Sequence, residues 1–235
     1  MSYLKETSLS RKQFIDAIRN NLTFLNDEGF LFQKQRSLSD GIVFLKHSSL
    51  GFYKITIGYA KYLFYKPYSP NINLRFNKLE EIVSKFHPSD DSTCSIGIGY
   101  DKDLVIDQLY SEGNDYNGKK DFEIYEADDL KLFADVVKKV FYEIALPFFE
   151  KYDSLEKVYE DSKDLKMEDL GKMFYNYGND HNLRKIALGY LISKEIGDAE
   201  YFNVKEYLEQ YLDQAPELFE GLLSEIKSIY DAYQN

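Results

Sequence analysis

The 235-residue chain contains one cysteine, Cys94, and no tryptophan. A single cysteine excludes a disulfide within the chain and a cysteine-rich zinc site. Five prolines and 13 glycines are too few for a disordered or loop-dominated chain. No apolar run approaches the ~20 residues that a membrane-spanning helix needs. The amino-terminal stretch "MSYLKETSLSRKQF" lacks the apolar core of a signal peptide. A cytoplasmic protein with no membrane partner is the expectation.

Catalytic signatures are missing as well. In "IGIGYDK", Gly97 and Gly99 are followed by Lys102 where a dinucleotide fingerprint needs its third glycine. "DKDLVID" offers Asp101, Asp103 and Asp107, but a calcium loop needs a glycine where Ile106 stands. His47, His87 and His181 are far apart and show no metal-ligand spacing. Neither a Gly-x-Ser-x-Gly elbow nor a Gly-Lys-Ser/Thr phosphate loop occurs. Cys94, between Thr93 and Ser95, reads as a small buried residue. No catalytic, cofactor-binding or metal-ligating residue is assigned, and no cofactor is expected.

What the chain does have is aromatic rings and an uneven charge. It carries 21 Tyr and 17 Phe within a hydrophobic share of 44 %, enough for a sizeable core. The net charge of −11 divides into +5 over residues 1–90 and −16 over 91–235. From Gly41 to Leu79 there is no acid, while Lys46, Lys54, Lys61, Lys66, Arg75 and Lys78 occur. Such asymmetry bears on partners rather than on fold.

Phe14, Ile18, Leu22 and Leu25 follow a helical period, with a capping box at Ser10 and Gln13 and a stop at Gly29. "GFLFQKQRS", "DGIVFLKHSS" and "GFYKITIGYAKYLFY" then read as strands between Ser/Asp/Gly clusters. Ile42 to Leu45, apolar on both faces, suits an interior strand. After a break at "KPYSPN", Ile72, Leu74 and Phe76 alternate as a further strand. Leu79, Ile82, Val83 and Phe86 predict a short helix, and "CSIGIGY" alternates again. From Asp128 the chain reads as helical, along a stripe from Phe133 to Phe148 that Pro147 kinks or ends.

Further helices are expected from a capping box at Asp153 and Glu156, and over Leu170–Tyr177, Leu183–Leu191, Val204–Leu212 and Phe219–Tyr230. In the third of these Ile192 is an alternative inward residue. Strands followed by helices indicate an α+β fold: an amino-terminal helix, an antiparallel sheet, then a helical carboxy-terminal half packed on and beyond the sheet. The divisions are 1–127, helix plus sheet, and 128–235, helical and packed with the first as one unit.

An amphipathic helix ending "FLNDEGF", the aromatic-rich strands and "FYEIALPFFEKYDSLEKVYED" together resemble a broad class of uncharacterised bacterial domains. The resemblance covers the first 160 residues. Some of that class are regarded as immunity proteins, which neutralise toxins. The resemblance implies such a role but supplies no catalytic residues.

Two stretches are candidate binding surfaces. In "GFYKITIGYAKYLFYKPY", Tyr53, Ile55 and Ile57 share the inner face and Lys54 and Thr56 the outer. A bulge at Gly58 would add Ala60, Tyr62 and Phe64 to the inner set and Lys61 and Tyr65 to the outer. Lys54, Lys61 and Tyr65 then form an exposed basic aromatic face, suited to single-stranded nucleic acid or to keeping sheet edges apart. The net charge of −11 disfavours nucleic acid in general. In the acidic half, Asp164, Glu168 and Asp169 lie at one connection. The leading expectation is a binding module that occludes a basic protein partner. The alternatives are an enzyme with a site assembled between sheet and helices and the nucleic-acid binder.

Overall fold

The computed structural model describes residues 6–34, 41–84, 93–98, 122–166, 169–170, 173–174, 184–185, 187–189 and 191–192. The chain divides into two compact units, Met1–Leu74 with Ile98–Lys151 and Arg75–Gly97 with Tyr152–Asn235. The fold is α+β, with an amino-terminal helix, a five-stranded antiparallel sheet and then helices.

The first unit opens with α1 (Arg11–Asn21) and α2 (Phe24–Asp27). The capping box forms as the sequence predicts. Ser10 Oγ accepts from the Gln13 N–H at 3.3 Å, and the Ser10 N–H donates to Gln13 Oε1 at 2.8 Å. The apolar stripe Phe14, Ile18, Leu22 and Leu25 is fully buried. The helix breaks at Leu22–Thr23 and restarts, and Gly29, at φ +83°, turns the chain out of it.

Four strands follow: β1 (Leu31–Phe32), β2 (Ile42–His47), β3 (Gly51–Lys61) and β4 (Tyr65–Phe76). With β5 (Ile96–Gly97) they lie side by side in chain order. β2 pairs antiparallel with both neighbours, Phe44 opposite Phe32 on one side and Ile55 on the other. Its residues Ile42 to Leu45 are buried, as an interior strand covered on both faces requires. Gly41, at φ +100°, starts the strand where a Cβ would come within 2.6 Å of the Ile57 carbonyl oxygen.

Two expectations fail here. The long strand expected over Gly51 to Tyr65 is broken by a turn at Tyr62–Phe64, closed by the Tyr62 N–H donating to the Phe64 carbonyl at 2.8 Å. The chain then runs extended through "KPYSPN" as part of β4, where a break was expected. Tertiary contacts decide both. The Thr7 N–H donates to the Leu63 carbonyl at 2.6 Å, and Tyr65 exchanges backbone hydrogen bonds with Ile124.

A 3₁₀ turn at Ala127–Asp129 leads into α4 (Leu130–Val140), a π turn (Phe141–Ala145) and α5 (Leu146–Lys151). The helix therefore continues past Pro147. The wider π turn just before it accommodates a residue that lacks an N–H. α4 packs against α1, and Phe149 of α5 meets Tyr53 of β3 at 4.8 Å and Phe30 at 5.6 Å.

The second unit contains α3 (Asn77–Val83), which buries Leu79, Ile82 and Val83, together with β5 and α6 (Leu155–Ser162). The cap of α6 is Ser154, not Asp153; Ser154 Oγ accepts from the Lys157 N–H at 3.4 Å. A hydroxyl both donates and accepts, which suits it to this position. In the segment expected as a helix from Leu170, the Met173 and Phe174 N–H groups both donate to the Leu170 carbonyl, and Phe174 pairs in an antiparallel bridge with Ile96; the remainder of that segment lies outside the described residues. Residues 184–185, 187–189 and 191–192 are helical, with Ala187, Leu188 and Ile192 buried. The expected helices over Val204–Leu212 and Phe219–Tyr230 lie outside the described residues.

Candidate functional site

The basic aromatic hairpin is built differently from its sequence reading. Ile57 is buried, Gly58 lies beneath the Tyr68 ring with its Cβ position 3.1 Å from Cδ2, and the Tyr59 ring meets Phe14 at 5.1 Å. Lys54 lies opposite Leu45 of β2 and is half-buried.

Tyr65 is not an exposed residue of this surface. It is fully buried, with Phe14 stacked on it at 4.2 Å and 8° between the ring planes. The residue after the hidden turn begins a new strand, so counting from β3 gives it the wrong face. Tyr62, expected inside, is instead 60 % exposed. Lys61 is exposed, and its ammonium sits 5.5 Å from the Tyr65 ring centre, a cation–π contact.

In the second unit Asp164 is exposed and Asp169 half-buried, while Glu168 lies outside the described residues. Just before them, α6 carries exposed Glu156 and Glu160, and exposed Asp153 precedes its cap. Glu156 and Glu160, four residues apart, share one helical face, while Asp153 lies just before the helix and Asp164 just beyond it. Lys157 pairs with Asp153 at 2.9 Å and Lys163 with Glu160 at 2.7 Å. The Ser154 hydroxyl, foremost, and the Glu156 backbone N–H hold the Glu156 carboxyl below its usual pKa.

Sequence reasoning missed a charged cluster behind this surface. Arg184 Nε and Nη2 donate to Glu80 Oε1 and Oε2, each at 2.9 Å, and both side chains are fully buried. The next residue, Lys185, donates through Nζ to the carbonyls of Lys163 and Leu165 at 3.2 and 2.7 Å. Burial lowers its pKa to about 8, against the opposing effect of Asp164. Two adjacent cations therefore tie one helix to α3 and to the end of α6. The available signal was Arg184 at the i, i+3, i+4 and i+8 spacing with Ala187, Leu188 and Ile192, a charge at an apolar position.

Cys94 is buried, as expected, and His47 is exposed at the end of β2; His87 and His181 lie outside the described residues. Among the described residues no three His, Cys, Asp or Glu side chains cluster as metal ligands, and no helix is long and apolar enough to cross a membrane. No family model matches the chain, and neither a curated protein nor a solved structure shows detectable similarity to it.

Proposed function

We propose that the chain is a cytoplasmic binding module that occludes a basic protein partner with the carboxylates of its helical half, in the manner of an immunity protein. The observation that carries this reading is the set of exposed carboxylates Asp153, Glu156, Glu160 and Asp164, just before, along and just beyond α6. Its Lys157–Asp153 pair is exposed and its Lys163–Glu160 pair partly so, and such surface pairs contribute little to stability. A partner's arginines can replace those lysines at small cost. Behind these carboxylates, the Glu80–Arg184 fork and the Lys185 contacts hold the supporting helices, so the surface is presented preorganised. The mechanism is coverage: carboxylates that complement a cationic active site exclude its substrate and speed encounter.

The experiment is capture of basic proteins from native lysate at low and high salt, with the wild type and with Glu156→Lys combined with Asp164→Lys. The reading expects a basic partner that is retained at low salt, released at high salt and lost with the double variant. Capture indifferent to both salt and charge reversal would remove it.

A further inference from the structure

We draw no further inference here: the strongest candidate, the exposed apolar pair Tyr62 and Leu63 at the turn between β3 and β4, has nothing in the structure to show what covers it.

Discussion

Glu80 and Arg184 are the residues on which the second unit has most at stake. Both are fully buried and joined by two 2.9 Å hydrogen bonds. Removing one partner strands a charge in the interior. Glu80→Gln is expected to lower unfolding free energy by ~3–5 kcal/mol, measured by urea denaturation. Glu80→Leu combined with Arg184→Met should cost much less, because apolar replacement of both charges leaves neither uncompensated. Equal losses for the single and double variants would contradict this account. Tyr65 illustrates the opposite case. Its hydroxyl is buried with no hydrogen-bond partner among the described residues, so Tyr65→Phe should be neutral or stabilise by about 1 kcal/mol. Destabilisation on denaturant titration would mean that the hydroxyl has a partner after all.

Individual elements are limited by their ends. Ser154 caps α6 and also hydrogen-bonds Glu156. Ser154→Ala is expected to cost ~1 kcal/mol and to raise the Glu156 pKa, which carbon-detected NMR titration can follow. The sign of the linkage follows from the direction of the shift. The folded-state pKa is depressed, so the contribution of Glu156 is complete above its ordinary value of 4.5 and is lost as pH falls through the folded value. At the start of β2, Gly41 combines φ +100° with a 2.6 Å approach of any Cβ to the Ile57 oxygen. Gly41→Ala should therefore destabilise by more than ~1 kcal/mol on thermal unfolding. Gly58→Ala, which must only displace a ring edge at 3.1 Å, should cost less.

These elements also show how far the pattern could be read. The Ser10–Gln13 capping box was legible because it is a local exchange between residues three apart. The burial of Ile42–Leu45 was legible from four consecutive apolar residues. The turn at Tyr62–Phe64 was not, because residues far away in the chain, Thr7 and Ile124, hold it. Counting on from β3 across that turn is what assigns Tyr65 the outer face, whereas Ile72, Leu74 and Phe76, counted within their own strand, are buried as expected. Phe174 was misread similarly: an apolar residue near a helical spacing pairs instead with Ile96 across the unit.

At the scale of the whole molecule, charge governs behaviour. Folding takes Lys185 from an ordinary value of 10.5 to about 8. Between those values the unfolded chain binds more protons than the folded one, so stability rises with pH there. Its contribution is complete above 10.5 and is lost as pH falls toward 8. Lys185→Met should flatten the dependence of thermal midpoint on pH between about 8 and 10. A midpoint that falls with pH equally in wild type and variant would contradict it.

The sequence by itself determined what depends on neighbours in the chain. It showed the amino-terminal helix and its cap, the interior strand, the succession of sheet and helices, and the sign of charge in each half. Only the tertiary structure decided which residues are inside where the chain reverses without a turn motif, and which charges are buried together. Hydrophobic period is a local property that sterics and solvent impose on each segment. The pairing of Glu80 with Arg184, 104 residues apart, and the turn anchored by Thr7 follow from long-range contacts. No spacing in the chain records those contacts.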